Sequence, residues 1–108
     1  SLARVNLSKS DLTSVDARRA KFFGANLSEV NFTSANLAEA DFTKADLTGA
    51  IFINADLSRA RFYGAKLQGV NFNGARLDAT DFLKADLTGA VWTDGLRICK
   101  EGSFGQCK

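Results

Sequence analysis

The sequence contains no histidine, proline or methionine, and the absence of histidine limits the chemistry open to it. Histidine is the commonest side chain for proton transfer near neutral pH, so triads and metal sites that need it are excluded. Serine, aspartate and lysine are present, but they follow a regular lattice. A pair such as Asp46 and Lys66 is better explained as exposed neighbours on that lattice than as a general acid and base. We expect no enzyme, no catalytic residue, no cofactor and no metal site.

The chain also lacks an apolar run of the roughly 20 residues that a bilayer-spanning helix needs, so we expect no membrane insertion. It shows no signal peptide, which indicates a cytosolic or an already processed chain. Residues 1–94 hold eleven basic and eleven acidic side chains, and the net charge of +2 arises in residues 95–108. These totals show neither the basic face of a nucleic-acid binder nor the acidic face of a DNA mimic. We expect no nucleic-acid partner.

A period of five residues runs through almost the whole chain. Leucine or phenylalanine stands at every fifth position, a small residue precedes it by two positions, and polar residues fill most other positions. Ala17 is the single departure, and residues 5–94 make 18 units. A helix would carry this repeat around all its faces, and a flat strand would turn the large residue to alternate faces. A short extended segment followed by a turn keeps the small and large residues inside a solenoid.

The last position of the unit carries six of the nine glycines, which suits a turn with a positive φ. Phenylalanine and leucine also alternate as the large residue, which indicates an even number of units per coil. Four units per coil would stack the aromatic rings in two opposite columns. These columns contain Phe22, Phe42, Phe62 and Phe82 on one side, and Phe32, Phe52, Phe72 and Trp92 on the other.

Charges one coil apart tend to alternate in sign, as in the column Lys21, Asp41, Arg61 and Asp81. At a coil spacing of about 4.8 Å, opposite charges in such a column should be favoured by a few tenths of a kcal/mol per step. We therefore predict ladders of opposite charge along the stack.

The units "ANLSE" (25–29), "ADLTG" (45–49 and 85–89) and "ADLSR" (55–59) resemble the A(D/N)LXX unit of the pentapeptide-repeat proteins. The resemblance covers residues 1 to about 94. It implies an all-β fold, a right-handed quadrilateral β-helix with four units per coil. Eighteen units would make about four and a half coils, or roughly 22 Å of stack at that spacing.

The tail "WTDGLRICKEGSFGQCK" (92–108) resembles the C-terminal segment of family members from the thylakoid lumen of cyanobacteria and plants. In those members, paired cysteines close a short cap over the last coil. We therefore divide the chain into a repeat domain, residues 1–94, and a capping segment, residues 95–108.

Cys99 and Cys107 are the only cysteines, and without histidine they make half a zinc site at best. We favour a disulfide, with free thiols as the alternative; by loop entropy it would contribute about 2–3 kcal/mol. It should hold Ile98 and Phe104 over the open end of the stack, next to Trp92. It also favours an oxidising compartment, the thylakoid lumen or periplasm, with the cytoplasm as the alternative.

Phe23, Tyr63 and Leu83 fall in one outward column and form the candidate protein-contact stripe. Random drift of the repeat is the competing explanation, because single exposed apolar residues are normal. A second apolar group lies on the opposite side: Ile51, Ile53 and Val91. The first coil has no counterpart of the C-terminal cap, so fraying, a removed segment or homo-association through that coil are all open.

Three functions follow from these features. The first is a non-enzymatic structural or protein-interaction scaffold with an unknown protein partner. The second is a DNA-mimicking inhibitor or protector of DNA gyrase, which the family resemblance allows but the neutral repeat region disfavours. The third is a nucleic-acid binder, which rests only on the cluster Arg18, Arg19 and Lys21.

Overall fold

The computed structural model describes residues 1–108 and contains no helix. Its β-structure consists of isolated single-residue bridges, without longer strands. Each parallel bridge, from Asn6↔Asn26 to Asn71↔Val91, joins residues twenty positions apart. Because twenty residues are four units, one coil has four sides. The all-β prediction is confirmed.

We label the four sides by the large residues that they stack. Side A contains Leu2, Phe22, Phe42, Phe62 and Phe82; side B contains Leu7, Leu27, Leu47, Leu67 and Leu87; side C contains Leu12, Phe32, Phe52, Phe72 and Trp92; side D contains Ala17, Leu37, Leu57 and Leu77.

Every unit ends in the same turn. The N–H of the small residue donates to the carbonyl of the large residue three positions earlier, as from Ala45 to Phe42 at 3.0 Å. A positive φ at the third residue of the turn and not at the second is typical of a type II turn. From Arg4 to Gly89 all eighteen of these positions have positive φ, but only six are glycine; Asp94, at the same position of the last turn, does not have a positive φ. At ten of the other twelve the N–H group donates to a carbonyl of the next coil, as Lys44 N does to Tyr63 O at 2.8 Å, while Ala79 N and Lys84 N have no such acceptor.

The predicted charge ladders are stacked as expected, but they form no ion pairs between coils. The two ion pairs in the structure, Arg18–Asp16 at 3.2 Å and Arg76–Asp78 at 2.6 Å, each lie within one unit. Most aspartates instead accept a hydrogen bond from the N–H two residues later, as Asp41 Oδ1 does from Thr43 N at 2.9 Å. The hydroxyl and N–H of Ser58 similarly lower the pKa of Asp56. The carboxylates therefore stabilise their own turns, and the predicted alternation of charge along the columns is present without ion pairs between coils.

The interior is one apolar cluster of small residues, leucines and aromatic rings. On side A the rings of Phe22, Phe42, Phe62 and Phe82 stack within 9° of parallel at 4.9–5.2 Å. On side C the rings of Phe32, Phe52 and Phe72 stack at 5.4–5.6 Å. The two columns meet edge to face across the interior, at 5.8–6.4 Å between ring centroids. Trp92 ends the second column with its ring tilted 68° from Phe72.

The last residues form an antiparallel layer over part of the final coil. Ile98 bridges Val91 and Phe104 bridges Asp86, and Cys99 is disulfide-bonded to Cys107. This layer covers sides B and C: on side B Leu87 N donates to Ser103 O and Gly89 N to Cys99 O, and on side C Trp92 N donates to Arg97 O, all at 2.8 Å. On sides D and A the N–H groups of four residues of the last coil have no backbone acceptor: Leu77, Ala79, Phe82 and Lys84.

Ile98 and Phe104 do not cover the end of the stack as predicted. They are 54% and 60% exposed, because each bridges an outward-facing residue and therefore faces outward itself. The groups buried under the layer are Cys99 and Ser103, 2% and 0% exposed.

Candidate contact surface

The predicted stripe lies on side A, in the column of residues that follow the large residue. Gly24 N donates to Thr43 O, Lys44 N to Tyr63 O and Gly64 N to Leu83 O, so these residues stack directly on one another. Phe23 is 38% exposed and Leu83 58% exposed, while Thr43 and Tyr63 are half-buried. The structure thus places Phe23, Tyr63 and Leu83 in one solvent-facing column.

The second apolar group is less accessible. Ile51, Ile53 and Val91 lie on side C and are all half-buried. Side A therefore carries the more exposed apolar surface of the two.

The four sides differ in charge, which the totals along the sequence conceal. Side A carries five cationic and two carboxylate side chains, a net charge of +3. Side C carries two carboxylates, Asp11 and Asp94, and no cation. The sequence pattern contains this polarity, which becomes visible when the charges of whole sides, and not of single columns, are summed.

The cations of side A lie beside the apolar stripe. A Cβ atom on Gly24 would lie 3.5 Å from Cγ of Arg4, and one on Gly64 would lie 3.5 Å from Cγ of Lys44. The stems of these cations therefore pack over the glycines of the following coil. The ammonium group of Lys84 lies 5.8 Å from the centroid of the Tyr63 ring, within the range of a cation–π contact.

The edge between sides D and A is a shallow charged depression. Its lining residues are Arg19, Lys21, Glu39, Asp41, Arg59 and Arg61. No two of these six groups form an ion pair, so the four cations keep their charge available to a partner. The cluster Arg18, Arg19 and Lys21 is divided in the structure, because Arg18 pairs with Asp16 on side D.

No side-chain arrangement suggests catalysis. The structure has no group of three or more histidine, cysteine, aspartate or glutamate side chains that could hold a metal ion. Its depressions are shallow and lined mainly by polar groups. No helix is present that could cross a membrane.

Several solved structures are similar to this chain. A pentapeptide repeat protein, Rfr23, from the cyanobacterium Cyanothece 51142 shares 30% identity with a TM-score of 0.70, over 82% of this chain and 61% of its own. HetL, a pentapeptide repeat protein involved in heterocyst differentiation regulation in Nostoc sp. strain PCC 7120, shares 32% identity with a TM-score of 0.52, over 87% of this chain and 49% of its own. The chain thus spans about half to three-fifths of these proteins.

A pentapeptide repeat protein from the thylakoid lumen of Arabidopsis thaliana is 25% identical, with a TM-score of 0.44, over 94% of this chain and 82% of its own. Among curated proteins, none matches the sequence.

The family model for pentapeptide repeats matches eight copies, over residues 1–28, 25–62 and 55–91. These ranges include nearly all of the coils described above, and proteins with this repeat fold as right-handed quadrilateral β-helices. The chain belongs to the pentapeptide repeat family.

Proposed function

We propose that the protein is a non-enzymatic scaffold that binds a protein partner through side A. The observation that carries this proposal is the solvent-facing column of Phe23, Tyr63 and Leu83. Apolar side chains gathered in one column, on a rigid stack, offer a partner a surface whose shape is set before binding.

We further propose that the protein works in an oxidising compartment, the thylakoid lumen or the periplasm. The support is the disulfide between Cys99 and Cys107, because such bonds persist mainly outside the reducing cytosol. Counting thiols in protein purified without reductant tests this location. Two free thiols per chain would contradict it.

The DNA-mimic alternative has less support. Such a mimic needs a continuous acidic face, whereas side A has a net positive charge and side C has two carboxylates at opposite ends. A gyrase supercoiling assay with excess protein separates the two functions. We expect no inhibition; clear inhibition would favour the alternative.

Photo-crosslinking tests the scaffold directly. A photoreactive phenylalanine analogue replaces Tyr63 in the column, and in a matched control it replaces Ile53 on side C. In an extract of the compartment that holds the protein, we expect a discrete crosslinked species from position 63 and none from position 53. Crosslinking to the same extent from both positions, or from neither, would contradict a contact through side A.

A triple substitution then tests the stripe itself. Phe23→Ser, Tyr63→Ser and Leu83→Ser together should abolish capture of the partner, because they remove the apolar contact while leaving the buried column of side A intact. Recovery of the same partner by this variant would exclude the stripe as the contact.

A further inference from the structure

The charges of side A are arranged around the apolar stripe in a regular way. Each of its five coils contributes one cationic side chain. These cations alternate between the two edges of the side: Lys21 and Arg61 stand on the edge next to side D, and Arg4, Lys44 and Lys84 stand on the edge next to side B.

The carboxylates of side A do not pair with its cations, and the side keeps its net charge of +3. Asp41 and Asp81 each use one oxygen to accept a hydrogen bond within their own turn, from Thr43 N and Leu83 N, both at 2.9 Å. Neither forms an ion pair with a neighbouring cation. All five cations therefore stay free of carboxylate partners beside the exposed rings.

From this arrangement we infer that side A binds an acidic segment of its protein partner, with carboxylates at the cations and apolar residues on the stripe. The inference rests on the proposed scaffold function and adds the chemical class of the partner. Complementary charge on both edges would also fix how the segment lies along the stack.

The same arrangement disfavours a nucleic acid as the occupant. A phosphate backbone carries a charge at every nucleotide, so a strand along side A would pass close to Asp41 and Asp81. A peptide can place neutral residues at those points and carboxylates elsewhere. It can also offer leucine or tyrosine to Phe23 and Leu83.

The dimensions suit a short segment. Five coils at about 4.8 Å span roughly 20 Å, a length that about six residues of extended chain would cover. In an extended segment successive side chains point to opposite faces, so apolar residues at every second position would meet the stripe, and the long glutamate side chains between them would bend back along the flanks of the segment to reach the cations on the edges.

Fluorescence anisotropy with synthetic peptides tests the inference. The probe is a labelled peptide of alternating glutamate and leucine, and the comparison peptide has lysine in place of glutamate. We expect the glutamate peptide to bind, to weaken as salt is raised, and to bind more tightly than the lysine peptide. No detectable binding up to about 1 mM peptide, or equal binding of both peptides, would overturn the inference.

Matched variants assign the binding to side A. The double variant Lys44→Gln, Arg61→Gln removes two exposed cations from side A, and Lys9→Gln, Lys66→Gln removes two from side B. Loss of about tenfold or more in affinity is expected only for the first variant. Equal losses in both would mean that net charge, and not side A, governs binding. Unchanged thermal unfolding of both variants would verify that the fold persists.

Two outcomes separate this inference from the proposed function. A labelled oligothymidylate that binds more tightly than the glutamate peptide would replace the acidic segment with a nucleic acid. If the partner crosslinked at position 63 is captured equally by the Lys44→Gln, Arg61→Gln variant, the scaffold function stands and the acidic partner class is wrong.

Discussion

Residues 41–50 and 81–90 differ only at Thr43 against Leu83, yet their surroundings are different. Phe42 is fully buried between parallel rings, 5.1 Å from Phe22 and 4.9 Å from Phe62. Phe82 is partly exposed, with one parallel neighbour, Phe62, and the tilted ring of Trp92 beyond it. Nearly the same ten-residue segment is thus part of an interior layer in one place and of a terminal layer in the other.

The backbone hydrogen bonds of the two segments also differ, and within residues 81–90 the first half differs from the second. Phe42 N and Lys44 N donate to the next coil, but Phe82 N and Lys84 N have no backbone acceptor. Further along the copy, Leu87 N and Gly89 N are bound by the capping layer. A repeat therefore specifies its own conformation, while its burial depends on the layer that follows it.

The largest effect should come from removing an aromatic ring. Phe42→Ala leaves a cavity between two rings and should lower the free energy of unfolding by about 3–5 kcal/mol. Phe82→Ala should cost clearly less, because that ring is partly exposed already. Midpoints of denaturant unfolding measure both effects. Phe42→Leu is the control, with an expected cost below about 1.5 kcal/mol, since it nearly conserves volume. Equal losses at positions 42 and 82 would break the comparison.

The disulfide should keep the capping layer on residues 85–90. Without it, the N–H groups of these residues should become as accessible to solvent as those of Phe82 and Lys84, which the cap does not cover. The double variant Cys99→Ser, Cys107→Ser should lose about 2–3 kcal/mol of stability by loop entropy. Amide hydrogen exchange should show lost protection at Leu87 and Gly89, whose N–H groups the cap binds, and retained protection at Lys44. Reduction of the unsubstituted protein provides the control. An unchanged exchange rate at Leu87 would mean that the cap holds its place without the disulfide.

The smallest effect should be equal in the two copies. Lys44 and Lys84 have φ angles of 58° and 60°, a conformation that is costly for any residue with a side chain. Lys44→Gly and Lys84→Gly should each stabilise the protein by about 0.5–1 kcal/mol, after allowing for the greater freedom of glycine in the unfolded chain. Thermal unfolding of both variants measures the gain. A gain at one position only would show that the strain depends on the neighbouring layer.

Much of the fold could be predicted because the same five-residue pattern of small, polar and large residues recurs through nearly the whole chain. The alternation of phenylalanine with leucine indicated an even number of sides, and the bridges, which join residues twenty positions apart, give four. The outcome for charge was different. Stacked opposite charges such as Lys21 and Asp41 do not form ion pairs; Asp41 instead uses one oxygen to accept a hydrogen bond from Thr43 N in its own turn.

The capping segment, residues 95–108, was the part of the structure that the sequence predicted least well. The tail has no periodicity, so nothing in it shows which side each residue faces. As apolar residues, Ile98 and Phe104 were expected to cover the end of the stack. Their bridge partners, Val91 and Asp86, face outward, so Ile98 and Phe104 face the solvent as well.

The sequence by itself determined the repeating unit, the positions of its inward and outward residues, and the number of units in a coil. Those properties follow from contacts within a unit and between identical units, which a period displays directly. Only the tertiary structure decided that five cations share side A with the exposed stripe, and that the cap covers two sides of the last coil. Both depend on residues far apart in the chain, whose meeting is set by the stacking of coils and by the path of a segment without a repeat.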